Sequence, residues 1–380
     1  MRAMDRFMAW RGRLVAAVAA LAATVVFAPA AYASAVWLQV ATGANFTCAI
    51  AEDGTLWCWG RNDHGQLGVG DTVDRAIPAQ VGTDDSWASL SLGYSHACGL
   101  TTDGTRWCWG RNTDGQLGLG DLDDRAEPAT APGEVTWQSV SAGGYHTCGV
   151  SVAARLYCWG TNEFGRLGVG DTVGRAAPAL VGTAWASVSA GLNHTCGLRT
   201  DGNRYCWGLN ADGQLGLGDS TTRTRPIRVV NEGAWRSLAA GEFFSCGIRA
   251  DGRMFCWGNN SEGALGVGDF TSRQSPAQVS SATNWAVVSA AGLQACAVLT
   301  TGTRFCWGWN AFGQLGIGDT TSRNAPRRLN GEGAWSAVQT GATHTCGIRV
   351  SGALFCWGDN SYGQLGLGDT ARRLRPAAVA

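Results

Sequence analysis

The 380-residue sequence predicts an all-β fold: a seven-bladed β-propeller built from four-stranded antiparallel blades, with one disulfide per blade. Three observations carry the prediction. The tripeptide Cys-Trp-Gly begins at Cys58, Cys108, Cys158, Cys206, Cys256, Cys306 and Cys356, so one unit recurs seven times at a period of 50 residues, broken once by a 48. Inside each unit, short runs of two-residue alternation are separated by Gly and Asx turns, the signals of strands and hairpins. With 55 glycines and no sustained helical period, the chain has many tight turns and no room for long helices.

The first segment stands apart from the repeats. Arg2, Arg6, Arg11 and Arg13 precede an apolar run from Leu14 to Ala28, and Ala31, Tyr32 and Ala33 fit the small-x-small rule for cleavage. Residues 1–33 therefore read as a signal peptide, and the apolar run falls short of the roughly 20 residues that a membrane span needs. Removing them leaves 25 arginines against 28 acidic residues, a net charge of −3. The expected location is secreted, periplasmic or cell-surface, an oxidising environment. Residues 34–380 are expected to form the propeller, in units near 37–81, 87–131, 137–181, 185–229, 235–279, 285–329 and 335–379.

Four strands are expected per unit, in the first at Trp37 to Ala41, Phe46 to Ile50, Thr55 to Trp59, and around Pro78 to Val81. Proline suits the last because it is tolerated at a strand start or on a sheet edge. The fourteen cysteines form seven pairs, each ten residues apart: Cys48 with Cys58, Cys98 with Cys108, Cys148 with Cys158, Cys196 with Cys206, Cys246 with Cys256, Cys296 with Cys306, and Cys346 with Cys356. No Cys-x-x-Cys group exists to hold zinc. If Glu52, Asp53 and Gly54 form a three-residue hairpin loop, Cys48 faces Cys58 at a non-hydrogen-bonded position, close enough for a disulfide. The third unit has Ala153 and Ala154 where the others have turn residues, so its loop is expected to be strained or differently shaped.

Alternation then puts Trp57 and Trp59 on one blade face and Cys58 on the other. The two rings are expected to stack together and pack on the disulfide-bearing face of the next blade. Asn62, Leu67, Asp71, Arg75 and Pro78 recur in every unit, and Asp71 with Arg75 reads as an ion pair at the rim. One Asp per loop cannot supply the six to eight oxygens that calcium takes, and no Gly-Lys-Ser/Thr follows the glycines to bind phosphate. No metal or other cofactor is implied.

Positions that vary between units are where a function can sit. The loop joining the first and second strands and the loop joining the third and fourth share one propeller face. They carry Tyr94, Tyr145, Phe164, Phe243, Trp309, Phe312 and Tyr362, the candidate partner-binding residues. His96, His146, His194 and His344 each stand two residues before the first Cys of their unit, a repeated place that reads as structural. His64 lies outside that column. No Ser-His-Asp or Cys-His arrangement can be assembled from the sequence, and the cysteines are committed to bridges, so no enzyme is expected. A neutral chain of 29 arginines, no lysine and 29 acidic residues does not read as a nucleic-acid binder, which depends on neutralising phosphates.

The string His-Thr-Cys-Gly-Leu, then Asp-Gly, then Tyr205, Cys206, Trp207 and Gly208, then Asn-x-x-Gly-Gln-Leu-Gly-x-Gly-Asp, resembles the repeat of the regulator of chromosome condensation family. The resemblance covers all seven units and implies the seven-bladed propeller, with less to say of activity. Nuclear members exchange guanine nucleotide on a small GTPase and dock on chromatin, a role that fits a secreted, slightly acidic chain poorly. The family's plant UV-B photoreceptor uses Gly-Trp-Arg-His-Thr motifs; the corresponding segments here, Gly143 to Thr147 and Gly191 to Thr195, lack the Trp and the Arg. A bacterial secreted member that inhibits β-lactamases resembles this chain in compartment and architecture. The expectation is a non-catalytic scaffold that binds a protein or an extracellular polymer through its loop face, with inhibition of a secreted enzyme as the alternative.

Overall fold

The computed structural model describes residues 35–131, 135–230, 232–328 and 331–379, so the proposed signal peptide lies outside the described residues. Each repeat is organised around a central hairpin. In the first, the Ala51 carbonyl accepts the Gly54 N–H at 3.0 Å and the Ala51 N–H donates to the Thr55 carbonyl at 3.0 Å. Gly54 takes φ 82°, where a side chain would be strained. From this turn the register runs Ile50 to Leu56 and Cys48 to Cys58. All seven cysteine pairs are bonded within their own hairpins, with Cα atoms 4.1 Å apart. The third hairpin keeps the same turn: Ala154 N–H reaches the Ser151 carbonyl at 2.8 Å, but with Ala154 forced to φ 56°.

The first blade consists of β1 (Trp37–Thr42), β2 (Phe46–Ala51), β3 (Leu56–Gly60) and β4 (Arg75–Gln80), in that order and antiparallel. Six further sheets of four consecutive strands complete the ring. The β1 counterparts line the axial channel, and blade one packs directly against blade seven, without a blade shared between the chain ends. The outer strand corrects the expectation, because it begins at Arg75 and places Pro78 in its middle. Pairing skips between Gly60–Arg75 and Cys58–Ala79, so Pro78 sits in the irregular stretch of an edge strand, where its missing N–H costs no ladder bond.

The aromatic expectation is corrected in detail. Trp59 packs edge-on against Trp37 of its own blade, with centroids 6.3 Å apart, and in the fourth blade Tyr205 and Trp207 each pack edge-on against Trp185 at 5.6 Å. Trp59 also meets the disulfide face of the preceding blade, beside Cys346, Cys356 and Leu365. Its indole N–H donates across the seam to the Gln364 carbonyl at 3.0 Å. All seven equivalent indoles do the same, as with Trp109 to Gln66 at 2.9 Å and Trp307 to Ala264 at 2.8 Å. Gly68 is required where the indole arrives: a Cβ there would lie 2.8 Å from Trp109 Nε1.

A second seam contact explains the histidines. His96, His146, His194 and His344 place Nε2 at 2.7–2.9 Å from Thr147, Thr195, Ser245 and Thr47 of the following blade. Thr47, Thr147, Thr195 and Ser245 each spend their one proton on a backbone carbonyl, so they accept from a neutral imidazole protonated at Nε2. Burial holds all four imidazoles far below their ordinary pKa. Blades one and five carry Phe46 and Phe244 in the His place, and the hydroxyl opposite is then replaced by Ala97 and Ala295. Donor and acceptor are lost together, leaving neither orphaned.

Candidate functional site

The long loop from Asn62 to Arg75 is held from within. Buried Asn62 accepts the Leu67 N–H at 2.9 Å and donates to the Asp71 carbonyl at 2.9 Å. Asp71 accepts from Val73 N–H and pairs with Arg75 at 2.5 Å. The same pair recurs in the other six blades at 2.6–2.7 Å. The acceptor positions of this carboxylate are thus occupied by protein donors. Among the described residues, no group of three or more His, Cys, Asp and Glu converges to hold a metal.

This bracing fixes the loop tips on one face, where the Arg61 N–H joins the two loop sets by donating to the Asn45 carbonyl at 3.0 Å. The seven candidate residues separate into groups. Tyr94 and Tyr145 meet edge-on at 5.6 Å beside the channel, and the Tyr94 hydroxyl donates to the Glu242 carboxylate on the opposite side of the mouth. Burial and the Glu242 charge push the Tyr94 pKa upward. Below them runs a channel of about 280 Å³ lined by Ser91, Ser141, Ser189 and Ser289. Tyr94 is therefore committed to closing the mouth. Phe243 is half-buried, and its carbonyl accepts the Asn259 N–H.

The remaining aromatics stand farther out. Trp309 and Phe312 form a half-buried pair at 5.3 Å, and Tyr362 of the next blade is 37% exposed with Arg61 at 5.1 Å over its ring. Phe164 has Arg166 at 5.4 Å. The candidate residues read from the sequence include neither these cations nor Glu242, the loop neighbour of Phe243. Arg61 and Arg111 directly follow Cys-Trp-Gly, and Arg166 interrupts a column that is Gln in five other units; both signals were present in the sequence. Arg111 lies 5.4 Å from the Tyr145 ring.

The Ras guanine nucleotide exchange factor C of Dictyostelium discoideum is 52% identical over 42 residues, which is 11% of this chain and 3% of that protein. The Ultraviolet-B receptor UVR8 of Arabidopsis thaliana is 49% identical over 43 residues, 11% of this chain and 10% of the receptor. The chain thus matches only a small fraction of each relative's length. Among solved structures, Prp20p from Saccharomyces cerevisiae superposes with a TM-score of 0.78 at 20% identity, covering 87% of each chain. That structure was described with binding properties to Gsp1p and histones, and at this identity the likeness establishes the fold. The pattern of the Regulator of chromosome condensation (RCC1) repeat matches residues 53–100, 103–150, 154–198, 201–248, 251–299, 301–348 and 351–380, and a second pattern of the same repeat matches six segments from 37–66 to 335–364. On seven matched repeats and a ring of seven blades, the chain belongs to the regulator of chromosome condensation (RCC1) repeat family.

Proposed function

We propose that the protein is a bacterial secreted, non-catalytic scaffold whose loop face binds another protein, with the sector of blades six, seven and one as the contact. The observation that supports this most strongly is the arrangement of Trp309, Phe312, Tyr362 and Arg61 on loops braced by the Asn–Asp–Arg network. Partly accessible aromatic rings and Arg held on a rigid frame are the residue types that dominate binding energy at interfaces, and they lose little entropy on contact. Seven disulfides suit an oxidising, extracellular environment, and no helix among the described residues is long and apolar enough to cross a membrane.

Affinity capture from culture medium with the mature protein tests the reading. The double variant Trp309→Ala/Phe312→Ala is expected to lose capture of a discrete partner at least tenfold, as hot-spot truncations of about 2 kcal/mol would, with its melting curve retained. Undiminished capture would remove the sector from the site. Recovery of one stoichiometric hydrolase, inhibited by the capture, would sharpen the role to that of an enzyme inhibitor; recovery of glycan would replace the protein partner by a polymer.

A further inference from the structure

We propose that a groove on the rim, between blades one and two, binds an arginine side chain presented by a peptide segment of a partner protein. The molecule itself shows how an arginine sits at this place in other blades. The last position of the second strand pairs with the Trp that opens the first strand, and in blades four, five and seven it is Arg199, Arg249 and Arg349. Each guanidinium lies over two rings of its own blade: Arg199 at 4.8 Å from Trp185 and 5.1 Å from Tyr205, Arg249 at 5.0 and 4.2 Å from Trp235 and Phe255, Arg349 at 4.1 and 4.9 Å from Trp335 and Phe355.

Blade two has the rings, Trp87 and Trp107, but Thr101 at the paired position. A short hydroxyl cannot cover two indoles. The rings line a groove of about 400 Å³ together with Val81, Gly82, Asp84 and Glu127. At the seam between blades three and four, the glycine that corresponds to Gly82 is Gly182, and the Arg199 guanidinium is next to it. Glu127 also reverses a charge, since the same outer-strand place in blades four and seven holds Arg225 and Arg375. Trp87 is 5% exposed, and the Nε1 atoms of both Trp87 and Trp107 have no hydrogen-bond partner. Trp185 and Trp285 share that state, but Arg199 covers the first and Leu299 pairs with the second.

The groove therefore offers indole rings to a cation and two carboxylates, Asp84 and Glu127, to its charge. The wider field agrees in sign. Residues 35–136 hold 14 acidic side chains and five arginines, whereas residues 137–380 hold 14 acidic side chains and 20 arginines. Such a lopsided distribution attracts cations to blades one and two. A planar, weakly hydrated guanidinium suits ring faces and carboxylates better than an ammonium does. The groove is separate from the Trp309 sector, so either assignment can fail alone.

The test uses the mature protein with its indole nitrogens labelled and the peptide acetyl-Ala-Arg-Ala-amide, its norleucine analogue serving as control. Titration is expected to shift the Trp87 and Trp107 indole resonances with the arginine peptide and leave them in place with norleucine. Glu127→Gln should weaken binding roughly three- to tenfold, the range of one exposed charge-assisted contact. Thr101→Arg gives blade two the residue that blades four, five and seven carry, so it should fold and lose the peptide. Equal shifts with norleucine, no shift at millimolar peptide, or undiminished binding to a folded T101R protein would each overturn the proposal. Concentration-dependent self-association removed by T101R would overturn the foreign partner in favour of a second copy of the chain.

Discussion

The four seam imidazoles make acid sensitivity a property of individual residues. In the unfolded chain each takes up a proton near pH 6.5, whereas folded His96 and His194 hold out to about 3 and His344 to about 4. A folded pKa depressed below the unfolded value means full stability above pH 6.5 and progressive loss as the pH falls toward 4. Each site steepens the loss by something on the order of 1 kcal/mol per pH unit at most in that window. Melting temperatures recorded between pH 7 and pH 4 should fall steeply for the wild type. Changing all four to Gln, which already occupies this place as Gln294, should flatten the dependence. An unchanged slope would assign acid unfolding to other groups. The sequence placed these histidines in a structural column by repetition alone. Their partners could not be read there, because Thr47 and His344 are 297 residues apart and meet only on ring closure.

Among the elements, the hairpin was the most predictable part, since turn chemistry and a ten-residue cysteine spacing fix its register locally. Ala154 is the exception that measures the rule. Held at φ 56° among glycines of φ 78–83° in equivalent turns, it carries strain that glycine would not. Ala154→Gly should raise stability by about 1 kcal/mol, read as a higher denaturant midpoint. A lower midpoint would mean that the loss of chain entropy outweighs the strain. The outer strand was less readable, because its pairing is irregular and its Pro says only that it lies at an edge. Buried Arg204 and Arg304 escaped notice for a similar reason. They replace apolar residues such as Leu56, and only the fold brings Glu232 and Glu332 within 3.0 and 2.7 Å of them.

The whole ring protects what its hairpins contain. Every cysteine is at most 1% exposed, sandwiched between its own blade and the indoles of the next. Dithiothreitol should therefore leave the native disulfides intact and reduce them only under conditions that unfold the molecule. Thiol counting during a denaturant series should show release of all fourteen thiols together with loss of structure. Early release of a single pair would mark the blade at which the ring opens. The seven-fold count was readable from periodicity, and the candidate aromatics from their variability. The grouping of those aromatics was not, since Tyr94 reaches Glu242 across the axis and Arg61 reaches Tyr362 across the seam between first and last blades.

That seam has a bearing on how such a molecule comes into being. Because every sheet is one uninterrupted stretch of sequence, copying or deleting a stretch of about fifty codons adds or removes a whole sheet and cuts none. The identity of a blade as first or last is then an accident of where translation starts. In a closed circle the number of copies is tied to the angle between neighbours, and each neighbour is met at a seam where an indole of one sheet rests on the sulfurs of another.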